Sequence, residues 1–302
     1  MLQNKEYGAQ IKNTVEILLG DGYEIEMNDV NKNNGVVLTG LNIHKTDSPV
    51  SSIVYLDEFE ANGIDIGIAA SKVVDQYFDT INEQEQATGN IQDMLLDKEL
   101  LLKYVLPKLV NTEKNQVSLE NAVHKGFADL AVTYYVLLPN SGNGNGLQTV
   151  TLNTVVIQKL DINLEELHEA AIRNMKRNGI VMQDLSEMLG GISGPTPQMP
   201  LVVLTNKNKV FGAAALLDEN YLRLVADRFD SDLYILPSSI HEVILLPASE
   251  GGEASFMVNM VREVNQDYVE PQDFLSDNAY LYDKETGGIS VLSIQDLDRN
   301  AE

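Results

Sequence analysis

LVVLTNKNKVFGAAALLDENYLRLVADRFDSDLYILPSSIHEVILLP, residues 201–247, decides the fold, because it reads in one run as a hairpin, a helix and a second hairpin. Leu201 to Thr205 and Val210 to Ala213 flank the polar turn Asn206 to Lys209, which predicts a first tight hairpin. The helix has Asp218 at its N-cap and Glu219 in its first turn, where a carboxylate meets the positive end of the dipole. Leu222, Val225, Ala226 and Phe229 follow at helical spacing and mark one buried face. The second hairpin is apolar on both sides of Pro237 to His241, so its strands should lie deep in a sheet that helices cover. The pattern identifies an architecture and says nothing of a reaction.

Outward from this stretch the chain keeps alternating. Upstream, Tyr7, Ile11, Val15 and Leu18 predict a first helix that ends at Gly20 to Gly22. YEIEMNDV, GVVLTGLNIH and SSIVYL then predict a meander, with NKNNG as the first turn. From Asp57 to Leu109 the pattern is helical, with Val73, Val74, Tyr77, Phe78 and Ile81 on one face, a second segment from Ile91 to Leu102, and Gly89 between them. FADLAVTYYVLLP and LQTVTLNTVVI predict two long strands around the connection NSGNGNG. LDINLEELHEAAIRNMKRNG predicts a helix with Asn163 and Glu166 as a capping box, Leu164, Leu167, Ala171 and Met175 as its apolar line, and Gly179 as terminator.

MLGGISGPTPQMP cannot hold a regular element, and it predicts a junction between an N-terminal α+β lobe, 1–198, and a C-terminal one, 199–302. The second lobe should end with a helix over Ala254 to Val264, a loop led by Pro271, the hairpin NAYLYDKETGGISVL, and a fraying acidic end after Leu297. Helices and strands alternate without the spacing of a doubly wound sheet. The expected class is therefore α+β, with mostly antiparallel sheets and flanking helices.

Composition excludes several function classes. With 45 acidic against 21 basic side chains among 302 residues, the net charge of −24 repels a nucleic-acid backbone, and no basic patch offsets it. The densest basic stretch, RNMKRNG, closes a helix, where cations suit the negative dipole end. The absence of cysteine removes disulfides, thiolate nucleophiles and the commonest structural zinc sites. No apolar run reaches the length of a bilayer span, and the start lacks a signal peptide's basic-then-apolar order, so a cytoplasmic protein is expected.

The candidate chemistry is thin. PSSIHEV brings Ser238, Ser239, His241 and Glu242, a hydroxyl, an imidazole and a carboxylate, within five positions. The competing reading is a turn set by Pro237, with the serines bonding backbone groups. Ser239 and His241 could share a strand face, whereas Glu242 would point the other way. His168, one turn from Glu165, is the other candidate; neither HEAAI nor HEVIL supplies the second histidine of a zinc-protease helix, and no metal is expected. The glycine runs open into a strand and into prolines, not into a helix that would cradle phosphate, and no cofactor is expected. Tyr134, Tyr135, Tyr280 and Tyr282 read as strand packing.

NNGVVLTGLNI, LDINLEELHEAAIRNM, LTNKNKVFGAAALLD, DLYILPSSIHEVILLP and VREVNQDYVEPQDFLSDNAYLYDKETG together resemble a bacterial family known only as a domain of unknown function, found mostly in gut-dwelling Gram-positive anaerobes and their mobile elements. The resemblance covers most of the chain. The order of helix, strand, helix start and PSS hairpin is also distantly similar to a second bacterial family, whose hairpin carries an arginine and an aspartate near Ser239 and His241. Both resemblances imply a fold and transfer no catalytic residue. The expectation is a soluble protein that binds another macromolecule, in regulation or in mobile-element or host-defence biology. The alternatives are a hydrolase using Ser239 and His241, and an acidic inhibitor that mimics nucleic acid.

Overall fold

The computed structural model describes residues 2–46, 51–137, 149–185 and 200–293. The fold is α+β, with antiparallel sheets flanked by helices. It divides into two compact units, one taking in Met1–Met94 and the other Leu95–Val136 with Thr149–Glu302. The connection 140–146, the stretch 188–199 and the residues after Leu297 lie outside the described residues.

In the first unit, helix α1 (Leu2–Leu19) is followed by the expected meander of β1 (Tyr23–Asn31), β2 (Val37–Lys45) and β3 (Ser51–Tyr55), ordered β1-β2-β3. Strand alternation puts Ile25, Leu41, Ile43 and Val54 on one face, where they form a core with Ile11 and Val15 of α1. Helix α2 (Asp57–Ala61) precedes α3 (Ile66–Leu96), which adds Ala69, Ala70, Val73 and Tyr77. Gly89 does not divide α3, a single helix of 31 residues. One glycine costs a helix interior about 1 kcal/mol, and the surrounding glutamate, glutamine and alanine residues favour the helix.

In the second unit the helical pattern expected through Leu109 stops early. Helix α4 (Lys98–Tyr104) gives way to strand β4 (Leu106–Asn111). Pro107 disfavours helical backbone at Leu106, and the freed carbonyls of Leu102 and Val105 both accept from Nδ2 of buried Asn174, at 2.9 and 2.8 Å. After α5 (Gln116–Leu119), β5 (His124–Phe127) and β6 (Leu130–Leu137) form a tight hairpin about Ala128 (φ 53°) and Asp129, where one long strand was expected. Strand β7 (Thr149–Thr151) pairs with β6 and is short, because Asn153 starts helix α6 (Thr154–Lys159) by accepting from Val156 N at 3.0 Å. A local cap there overrides the β preference of the sequence TVVI. Helix α7 (Leu164–Asn178) begins at Asn163, which caps Glu166 N at 2.9 Å, and ends at Gly179, φ 94°. The Glu166 carboxylate bonds Lys98 Nζ at 2.9 Å, so the cap is single-sided.

The second sheet of this unit has the order β13-β12-β10-β11-β9-β8. Its strands are β8 (Ile180–Asp184), β9 (Val202–Asn206), β10 (Leu233–Leu236), β11 (Val243–Pro247), β12 (Ala279–Tyr282) and β13 (Ile289–Leu292). Strands β8 and β9, on either side of the junction expected near residue 198, pair from Ile180↔Asn206 to Asp184↔Val202. The first expected hairpin is corrected: Val210 to Ala213 form no strand, and β9 lies between β8 and β11. The Asn206 side chain accepts from Asn208 N and Val210 N and donates to Val210 O, closing the turn locally. Phe211 then takes a left-handed conformation (φ 55°) and starts a 3-10 helix, Gly212–Leu217, packed down on β9.

Helix α8 (Glu219–Phe229) follows with Asp218 as its cap, buried and paired with Lys176 at 2.9 Å. The second hairpin forms as expected, and its double-sided apolarity has a direct explanation. Leu233, Ile235, Val243 and Leu245 enter the main core, while Tyr234, Leu236 and Leu246 meet Met257, Val258 and Val261. Those three belong to α10 (Ala254–Tyr268), which follows the short α9 (Ala248–Gly251).

Candidate functional site

The turn after β10 is built by backbone bonds. His241 N–H donates to Ser239 Oγ at 3.0 Å, and Ser239 N–H donates to the Glu242 carbonyl at 3.2 Å. Ile240 N–H reaches the Asp273 carbonyl at 2.8 Å, and Thr205 Oγ1 donates to the His241 carbonyl at 2.7 Å. Ser238 and the Glu242 side chain are half-buried and take no part in these bonds.

The His241 ring is held on both edges. Phe211 N–H donates to Nδ1 at 3.2 Å, and Nε2 lies 3.3 Å from Asp273 Oδ1. A backbone amide only donates, so Nδ1 carries the lone pair and Nε2–H faces the carboxylate. Phe211 stacks on the imidazole, centroids 5.8 Å apart and planes 11° off parallel. Tyr135 meets Phe211 edge-on at 5.1 Å, and Lys108 Nζ stands 4.2 Å from its centroid. With the Nδ1 lone pair taken by the Phe211 amide and Nε2 turned to Asp273, the ring has no free lone pair to take a proton from a serine hydroxyl, and Ser239 Oγ is itself accepting from an amide.

His168 sits elsewhere. Its Nδ1 lies 3.0 Å from the Tyr134 hydroxyl, and the rings meet edge to face. Burial, followed by nearby Lys125, pushes the imidazole pKa down, while Glu165 and Glu169 partly restore it. Burial also raises the Tyr134 hydroxyl far above its ordinary range, with Glu165 adding to the shift. Tyr134 and Tyr135 are neighbours on β6, so their rings leave the sheet on opposite faces. His168 follows the first and His241 the second, and the two histidines share no bonding partner.

Two constellations carried no sequence signal. Asp129, in the β5–β6 turn, accepts from Ser276 Oγ at 2.8 Å, Asn278 Nδ2 at 3.0 Å and Tyr280 OH at 2.7 Å. This carboxylate ties the turn to a segment about 150 positions away. Asp273, two positions after Pro271, is the partner of His241; the loop's proline and the family resemblance marked that region, and neither marked the carboxylate. A cavity of about 20 Å³ beside Phe211, lined by Pro107, Tyr135, Met175, Asn178 and Lys207, has room for a single water and not for a substrate. Among the described residues, no three His, Asp or Glu side chains gather in a group able to hold a metal ion. No described helix is long and apolar enough to cross a membrane.

The remaining feature is a surface. Helix α10 buries Met257, Val258, Val261 and Asn265 against the sheet, yet it also presents Phe256, 54% exposed, Val264, 37%, and Tyr268, 83%. Half-buried Met260 completes a row of apolar side chains spaced four residues apart.

No curated protein and no solved structure matches the chain. The model of one protein family matches residues 4–284, and its description is Family of unknown function (DUF5688). With nearly its whole length matched, the chain belongs to the DUF5688 family.

Proposed function

We propose that this protein acts by binding another protein, with no catalysis at the Ser238–Glu242 turn. The observation that carries the reading is the outward row of α10. Phe256, Val264 and Tyr268 are large apolar side chains left exposed along one helix, and exposed apolar side chains, aromatic ones above all, are what a protein contact uses. The His241 geometry also weighs against the hydrolase reading, since an imidazole bonded at both nitrogens lacks the free lone pair that base catalysis needs. The resemblance to bacterial proteins of gut anaerobes and mobile elements supports a bacterial setting for this binding.

The test is a paired co-purification from native extract, using the full chain and a Phe256→Ser/Tyr268→Ser variant. A protein recovered with the first and lost with the second is the expected result. Identical recoveries, or nothing above background with the unaltered chain, would overturn the reading.

A further inference from the structure

The row on α10 also says what kind of partner fits it. Phe256, Met260, Val264 and Tyr268 follow one another at four-residue steps, which makes a single inclined ridge of the kind that seats in the groove of another helix. Met257, Val258 and Val261 hold the sheet and half-buried Met260 touches the same core, which leaves Phe256, Val264 and Tyr268 as the exposed part of the row.

Its charge is one-sided. At 3.6 residues per turn, Glu263 and Asp267 each lie within roughly 20° of Phe256 around the helix axis. Both are exposed, as are Glu253 before the helix and Glu270 after it. Arg262, on the far flank, is the one cation in 253–270. A second copy of this chain would bring the same acidic rim and a net charge of −24, and an anionic bilayer or a nucleic acid would be repelled in the same way.

We propose that this ridge docks a basic amphipathic helix of another protein, with apolar residues four apart set between the Phe256–Tyr268 side chains and flanking Lys or Arg facing Glu263 and Asp267. The inference rests on the protein-binding reading above and narrows it to a chemical class. Apolar contact supplies the affinity, and the acidic rim selects the sign of the partner.

The test uses the full chain and two labelled helical peptides of about 18 residues, long enough to span α10. One is built from leucine and lysine, and the other has glutamate in place of every lysine. Fluorescence anisotropy is recorded at about 0.05 M and 0.3 M salt, which brackets strong and weak screening. The Leu/Lys peptide should bind, and more weakly at the higher salt. Its Kd should rise about ten-fold or more with Phe256→Ser/Tyr268→Ser, a hot-spot-sized loss. Glu263→Gln/Asp267→Asn, which leaves the ridge intact, should weaken it several-fold, and the Leu/Glu peptide should not bind.

Equal affinity across the variants would mean bulk charge attraction elsewhere on the chain and would overturn the proposal, as would absence of binding. Sedimentation showing a dimer that Tyr268→Ser dissociates would assign the ridge to a second copy instead. Binding to anionic lipid vesicles that the ridge variants abolish would assign it to a membrane. If native extract yields a partner through this row while the Leu/Lys peptide fails to bind, the basic-helix inference falls and the protein-binding reading stands. If the extract yields none, the reading itself falls.

Discussion

The backbone amide of Phe211 donates to Nδ1 of His241 at 3.2 Å, so a residue in left-handed backbone sets the tautomer of a histidine thirty positions away. The contact is possible because the 3-10 segment packs on β9 and brings Phe211 over the turn that follows β10. Its consequence is a ring held with Nδ1 against an amide and Nε2 against the Asp273 carboxylate.

A serine-reactive phosphonate is therefore expected to leave the protein unlabelled at neutral pH. Ser239→Ala should cost about 1 kcal/mol of stability through loss of the bond from the His241 amide. Mass spectrometry and denaturant titration read the two outcomes. Labelling that disappears in Ser239→Ala would restore the hydrolase alternative.

Gly212 is required by contact. A Cβ there would stand 2.5 Å from the His241 carbonyl oxygen and 2.7 Å from Asn206 N, both backbone atoms that cannot swing aside. Gly212→Ala should destabilise by about 1–3 kcal/mol, as overpacking does. Gly126, where a Cβ meets nothing within 4 Å, is the control, and Gly126→Ala should leave the midpoint of denaturant unfolding almost unmoved.

Two buried tyrosines in β12 should respond in opposite ways to loss of their hydroxyls. Tyr280 donates to Asp129 at 2.7 Å, and Tyr280→Phe should cost about 1.5–3 kcal/mol, the range for a bond to a charged group. The Tyr282 hydroxyl is buried with no hydrogen-bond partner, so Tyr282→Phe should be neutral or stabilising by about 1 kcal/mol. Equal losses would mean that the Asp129 bond contributes nothing beyond packing.

His168 makes stability depend on pH. Its folded pKa lies below the ordinary 6.5, chiefly through burial, so the unfolded chain binds the proton more readily. The contribution is complete above about pH 6.5, the ordinary histidine value, and is lost as pH falls from there through the folded pKa. Thermal melts between neutral pH and mild acid should show a drop in Tm, and His168→Gln should flatten it. A variant profile parallel to the original would remove His168 as the cause.

What could be read from the chain alone was whatever a few adjacent side chains decide. The caps at Asn163 and Asp218, the terminator Gly179, the meander that follows α1 and the hairpin after α8 are each set within about a dozen residues by periodicity and hydrogen-bonding groups. The double-sided apolarity of β10 and β11 announced a covered sheet, and helices and strands alternating without doubly wound spacing announced the α+β class.

Where local preference competed with a distant partner, tertiary structure decided. Leu201 to Thr205 looked ready to pair with Val210 to Ala213, but Asn206 closes the turn with its own side chain and β9 takes β8 and β11 as neighbours. No spacing rule connects His241 to Asp273 or Asp129 to Tyr280, because those bonds cross 32 and 151 positions. The residue types around Ser239 suggested a catalytic set, yet their roles depend on which atoms donate and accept. Phe211 N–H and the Asp273 carboxylate fixed that only once the fold had brought them to opposite edges of the same ring.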